Sequence, residues 1–153
     1  MNGLRSETQF SVFLESKPGH LARVVQQLAK NKVNIVALSM MDSSEHGVLR
    51  LVAENPEKAR SVFKSLDLTT AETPVLCATL PNRPGGLADV VERLASEHIH
   101  VNYAYCTTGA RGGKTLGVFK VSQPSKAVKV LQERKPRRKA LPKPTVRTRG
   151  GRR

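Results

Sequence analysis

The spacing of apolar side chains changes period repeatedly along this chain, and each change marks an element. Gln9–Glu15 is rich in β-favouring residues (Phe10, Val12, Phe13, Leu14) and predicts a strand. Leu21, Val24, Val25 and Leu28 then fall at i, i+3, i+4 and i+7, one face of a helix. Asn31-Lys32 breaks that pattern, and an apolar stretch from Val33 to Met41 reads as a strand. The turn-rich Asp42-Ser43-Ser44-Glu45-His46-Gly47 leads into Val48–Ala53, its hairpin partner. Asn55-Pro56 is a helix start signal, and Ala59, Val62, Phe63 and Leu66 repeat the helical spacing. Leu68–Thr73 closes the series as a short strand. The predicted order is βαββαβ.

The same order then begins again. Val75–Leu80 predicts a strand, and Leu87, Val90, Val91 and Leu94 mark a helix with the earlier spacing. Ile99–Thr107 predicts a strand, Gly109–Gly113 a glycine-rich turn and Leu116–Ser122 another strand. A helix starting near Pro124 puts Ala127, Val130 and Leu131 inward. Lys17–Ile35 and Arg83–Val101 are identical at 8 of 19 aligned positions, including Pro-Gly and Leu-Ala. A repeat this long marks a duplicated small domain rather than a solenoid. We place copy one at residues 8–73, copy two at 74–132 and a tail at 133–153. Copy two lacks a sixth element, because a proline-broken basic stretch follows Gln132. Its last strand is therefore expected to be missing or confined to an edge. Each copy alone would have a thin core, so the two should pack on each other and on a second chain.

A strand, a Lys/Arg-Pro-Gly turn, and a helix leading to a Val-Asn-Ile strand resemble the ACT domain. The resemblance rests on Phe10–Leu21 with Val33-Asn34-Ile35, and on its return in copy two. It implies an α+β fold of two ferredoxin-like βαββαβ repeats, with antiparallel sheets and helices on one face. The family binds amino acids and regulates metabolic enzymes. With no catalytic domain attached, the chain resembles the stand-alone tandem members, and more distantly the regulatory subunit of acetolactate synthase. The copies depart from each other in two places. Asn34 aligns with His100, with Asn102 two residues later, and Gly19-His20 stands where copy two has Gly85-Gly86.

The repeated turn suggests a ligand site. It delivers the chain into a helix whose first N–H groups have no intrahelical partner, which favours an anion such as an α-carboxylate. Gly19 and Gly85 let a ligand approach the backbone, and Lys17 and Arg83 add positive charge. Asn34 and Asn102 carry amides able to bond an amino acid's polar groups. The candidate ligand residues are therefore Lys17, Pro18, Gly19, His20, Leu21 and Asn34 in copy one. Those of copy two are Arg83, Pro84, Gly85, Gly86, Leu87 and Asn102. Tyr103 and Tyr105 should share a strand face. The plainer reading is that the turns only shape a connection, with Ser16 and Asn82 as helix caps.

Net charge is +14, of which Glu133–Arg153 supplies +9 through three Lys and seven Arg against one Glu. With Pro136, Pro142 and Pro144 this tail is expected to be disordered and to attract polyanions weakly. Specific RNA binding by the body is not expected, since the chain has six aromatics and no stacking motif. Thr108-Gly109-Ala110-Arg111-Gly112-Gly113-Lys114-Thr115 lacks the first glycine of a phosphate-binding loop and precedes a strand-like segment, so it reads as a hairpin turn. His98-Ile99-His100 reads as a polar turn rather than a metal site, and Cys77 and Cys106 as buried free thiols. No catalytic arrangement, metal or cofactor is expected. Without an apolar leader or a membrane span, the expectation is a cytoplasmic homodimer. It would be a non-catalytic sensor binding a small amino acid between repeats or chains; the alternatives are a regulatory subunit of an amino-acid biosynthetic enzyme, like that of acetolactate synthase, or association with nucleic acid through the basic tail.

Overall fold

The computed structural model describes residues 3–41, 46–108 and 113–133. The basic tail beyond Glu133, residues 42–45 of the first hairpin and residues 109–112 of the second lie outside the described residues. The elements are β1 (Arg5–Glu15), α1 (His20–Lys30), β2 (Ile35–Met41), β3 (His46–Ala53), α2 (Pro56–Ser65) and β4 (Thr70–Pro81). They continue with α3 (Gly86–Ser96), β5 (Val101–Thr108), β6 (Lys114–Val121) and α4 (Pro124–Gln132). Local chemistry sets several of these ends. Asn55 accepts a hydrogen bond from the Lys58 amide at 3.0 Å, capping α2 with Pro56 in its first turn. Arg93 of α3 reaches the carbonyls of Val130 and Glu133, tying down the end of α4.

All six strands form one antiparallel sheet in the order β2-β3-β1-β4-β6-β5. The helices cover one face, as the family resemblance implies. Phe10, Val12, Leu14, Leu49 and Leu51 meet Val24 and Leu28 of α1 and Val62 and Phe63 of α2. Leu76, Ala78, Leu80 and Phe119 meet Val90 and Leu94 of α3 and Leu131 of α4. The Phe10 and Phe63 rings pack edge-on with centroids 5.2 Å apart. Fully burying each such side chain contributes about 1.5–3 kcal/mol.

The join between the copies differs from the expectation. Two separate strands over Leu68–Thr73 and Val75–Leu80 are instead one strand, β4, running through Pro74. Its first half pairs with β1 as the closing strand of copy one, and its second half pairs with β6 as the opening strand of copy two. β1 is shared in the same way. It begins at Arg5 rather than Gln9, and Arg5–Glu7 pair with Cys77–Val75. This segment occupies the sheet position that copy two's own last strand would have taken. Thr8 and Pro74, equivalent residues of the two copies, are cross-strand partners, so the pseudo-two-fold axis passes through this pair. Proline is tolerated there because β4's other edge is still unpaired; pairing with β6 starts at Leu76.

The sheet curls until its edge strands β2 and β5 approach each other. The concave face, away from the helices, thereby buries Ala37, Val52, Val75, Cys77 and Val118. Two small copies thus obtain a second core that neither would have alone.

Candidate functional site

Both Pro-Gly turns fold identically. Gly19 has φ 89° and ψ −16°, Gly85 φ 86° and ψ −13°, the left-handed region where glycine carries no Cβ penalty. In copy one, Lys17 N–H donates to the Glu15 carbonyl at 2.8 Å and Arg23 N–H to that of Gly19 at 2.9 Å. Arg83 to Pro81 and Asp89 to Gly85, both at 2.9 Å, reproduce this pattern. The N-cap residues are these glycines, not Ser16 and Asn82, and neither helix has a side-chain cap hydrogen bond. The amides of Leu21 and Ala22, and of Leu87 and Ala88, precede the first intrahelical bond and point out of the helix end. A Cβ on Gly19 would have open space around it, so φ rather than crowding selects glycine there.

Around this common backbone the surroundings diverge. Copy two holds an open cleft of about 200 Å³ lined by Leu80, Pro81, Asn82, Arg83, Leu87, Cys106 and Thr115. Leu87 is 45% exposed at its edge. The Arg83 guanidinium reaches Asp89 Oδ2 at 3.3 Å and the Pro84 carbonyl at 3.1 Å. Gly86 is required by packing: a Cβ there would stand 2.4 Å from the Pro81 carbonyl oxygen. In copy one Lys17 Nζ lies 2.6 Å from Glu15 Oε2, and that hydrogen bond holds the Glu15 carboxyl below the usual carboxylate range. His20, at the position of Gly86, is half-buried.

Of the predicted site residues, the structure brings Lys17, Pro18, Gly19, His20 and Leu21 together at one turn, and Arg83, Pro84, Gly85, Gly86 and Leu87 at the other. Asn34 and Asn102 stand elsewhere. Each is exposed and lies beyond the far end of the helix from its own turn, an 11-residue helix being ~16 Å long. They are not equivalent either. Asn102 is the extra residue of a β-bulge whose counterpart is Val36. Asn34 corresponds to His100, and their carbonyls accept from Glu54 at 3.0 Å and Ser122 at 2.9 Å.

A polar cluster on the concave face escaped the sequence reading. Gln9 is fully buried; its Nε2 donates to Tyr103 Oη at 2.8 Å and its Oε1 accepts from Tyr105 Oη at 2.9 Å. The Arg50 guanidinium stacks 4.0 Å from the Tyr103 ring centroid. Gln9 and Arg50 belong to copy one and the tyrosines to copy two, so this cluster joins the repeats across the curl. Burial pushes the Tyr105 hydroxyl well above the ordinary tyrosine range. The expectation that Tyr103 and Tyr105 share a face is correct. A lone amide at an inward position of an apolar strand was the available signal for Gln9.

The remaining motifs resolve plainly. Lys114 and Thr115 open strand β6, not a helix. His98, with φ 56°, and exposed His100 precede β5 in a turn matched by Lys32 with φ 55°. Among the described residues no cluster of three or more His, Cys, Asp or Glu is placed to hold a metal. Both cysteines are free. Cys77 is buried in the concave core, but Cys106 is exposed, against expectation, because it lies on the helix side of an edge strand beside the cleft. Among the described residues no helix is long and apolar enough to cross a membrane.

A paired α+β module, with a glycine-capped helix start beside an open cleft, defines a class of small duplicated domains. The chain belongs to the ACT domain pair family, whose model matches residues 6–138. Among solved structures it is similar to protein BT0572 from Bacteroides thetaiotaomicron, with 32% identity and a TM-score of 0.77 over 84% of this chain and 88% of that one. The fold is shared with the ligand-free regulatory subunit of aspartate kinase from Thermus thermophilus, at 10% identity and a TM-score of 0.64 over 86% and 93%. The regulatory subunit of aspartate kinase from Thermus flavus also shares it, at 14% identity and 0.59 over 84% and 91%. No curated protein matches the chain.

Proposed function

We propose that this ACT domain pair is a non-catalytic regulatory protein that binds a small amino acid at its Pro-Gly turn. The observation that carries the reading is the cleft of copy two, where Arg83 and the first turn of α3 at Leu87 line a partly apolar opening. An α-carboxylate suits the helix end and Arg83, and a side chain suits Leu80 and Leu87. Binding shifts an equilibrium between assemblies by the ligand's differential affinity for them, about 5.5 kcal/mol being needed for a complete switch. Differential scanning fluorimetry of the full chain against the twenty amino acids tests this. A thermal shift for one or a few, reduced in Arg83→Ala, is expected; no shift for any would overturn it.

A second reading, that the chain serves as regulatory subunit of a separate enzyme, draws support from the fold shared with regulatory subunits of aspartate kinase. Affinity capture recovering a catalytic chain, released or retained according to amino acid, would establish it. Capture of no catalytic chain would leave a free-standing sensor.

A further inference from the structure

The two turns have the same backbone, so their contents can be compared position by position. Leu14 pairs with Gly47 as Leu80 pairs with Thr115, and Met40 faces Leu49 as Cys106 faces Gly117. Met40 therefore occupies the place of Cys106, and Glu15 the place of Pro81.

These two substitutions put into copy one what a ligand would bring to copy two. The Met40 side chain lies against the backbone of Gly47, its Cε 3.0 Å from where a Cβ would be. The glycine makes room for the thioether; copy two has Thr115 there and the shorter Cys106. An unbranched, polarisable thioether is suited to fill such a gap. Met40 is still 44% exposed, so it covers the floor from above rather than forming part of the core. At the entrance the Glu15 carboxylate sits on Lys17 at 2.6 Å, as an α-carboxylate would. In copy two the uncharged Pro81 stands in the place of Glu15, and Arg83 is held more loosely, 3.3 Å from one Asp89 oxygen and 3.1 Å from the Pro84 carbonyl. Its guanidinium keeps donors for a bidentate partner.

We infer that copy one carries its own substitute ligand, Glu15 on Lys17 and Met40 over Gly47, so that each chain takes one amino acid, at copy two. Because Leu80, Pro81 and Leu87 line the open cleft, that ligand is a small aliphatic α-amino acid. The inference rests on the reading that the Pro-Gly turn is the ligand site.

Isothermal titration calorimetry of the full chain with each of the twenty amino acids, L-valine and L-leucine first, tests it. One site per chain is expected. Met40→Cys with Glu15→Ala should raise this to two, and Cys106→Met should weaken binding at least tenfold. Met40→Cys alone, a gentler change, should expose a second, weaker site and keeps the test decisive if the double variant fails to fold. Two sites in the unaltered chain would overturn the inference and leave the ligand-site reading standing. One site in every folded variant would do the same. Binding of a charged amino acid in preference to valine and leucine would overturn the aliphatic assignment. Binding of none of the twenty would overturn both readings.

Discussion

At the first turn Lys17 is closed onto Glu15 and Met40 covers Gly47; at the second Arg83 stands beside an uncharged Pro81 and Cys106 leaves the floor open. The backbone does not follow this divergence, since the cap glycines agree in φ to within a few degrees. The shared part is what a strand-to-helix connection needs, a left-handed residue at the helix start. The differing part is what a ligand would touch. A duplicated sheet can therefore keep both copies as scaffold while leaving one of them open for binding. The concave face repeats the lesson. Its copy-one half is polar at Gln9, where the equivalent position of copy two, Val75, is apolar.

The largest effect should come from removing that asymmetry. Gln9→Val gives copy one the residue type of copy two, and leaves the Tyr103 and Tyr105 hydroxyls without their shared partner. Each stranded buried group costs about 1–3 kcal/mol, and partial exposure of the tyrosines puts the total at about 3 kcal/mol. Urea unfolding measures this. Adding Tyr103→Phe and Tyr105→Phe should recover most of the loss, because apolar replacement of all partners is nearly neutral. No recovery would mean that the cluster does not join the copies through these bonds.

Next in size is Gly86→Ala. Its Cβ would stand 2.4 Å from the Pro81 carbonyl, so α3 must shift, at about 1–3 kcal/mol. His20→Ala, at the equivalent position, should change stability by less than about 0.5 kcal/mol. Thermal unfolding of the pair measures how differently the two helices sit on their strands. Equal losses would erase that difference.

Much of this architecture was legible in the chain. Apolar spacing at Leu21–Leu28 and Leu87–Leu94 located α1 and α3, and the doubled Pro-Gly turn announced the duplication. Asn55-Pro56 marked the start of α2 because capping is local chemistry. What was not legible depends on pairing between distant segments. Arg5–Thr8 has too few apolar residues to read as a strand and becomes one because β4 lies alongside. The sequence ends one predicted strand at Thr73 and begins the next at Val75, yet Pro74 between them falls where β4 has a free edge, so the two run on as one. At the candidate site the turn residues were readable from their order. The cleft walls Leu80, Cys106 and Thr115 come from three different strands and carry no motif.

A third comparison concerns ligand affinity. Arg83→Ala removes the cation beside the open cleft, and a lost charged hydrogen bond of about 1.5–3 kcal/mol corresponds to roughly a 10–100-fold weaker Kd. Lys17→Ala removes the equivalent cation from a turn where Glu15 already pairs with it, and should leave Kd unchanged. Titration calorimetry with the amino acid that gives the largest thermal shift separates them. Equal losses would assign the site to both turns.

The smallest effect distinguishes the two thiols, one in the shared core and one beside the cleft. Burial pushes the Cys77 thiol up to about 11, with the Glu7 carboxylate adding to the rise. The folded state therefore holds that proton to higher pH than the unfolded chain does. The stability associated with Cys77 is complete below the ordinary thiol range, near 9, and declines as pH rises toward about 11. Cys77→Ala should flatten this part of the stability-versus-pH curve, whatever it does to stability at neutral pH. Tyr105, also shifted up, contributes a decline of the same sign that the variant leaves in place. A thiol reagent at pH 8 should label exposed Cys106 in the folded protein and reach Cys77 only on unfolding. An amino acid seated in the cleft should slow labelling of Cys106 and leave that of Cys77 unaltered. Labelling of Cys106 that ignores every bound amino acid would place the ligand away from copy two.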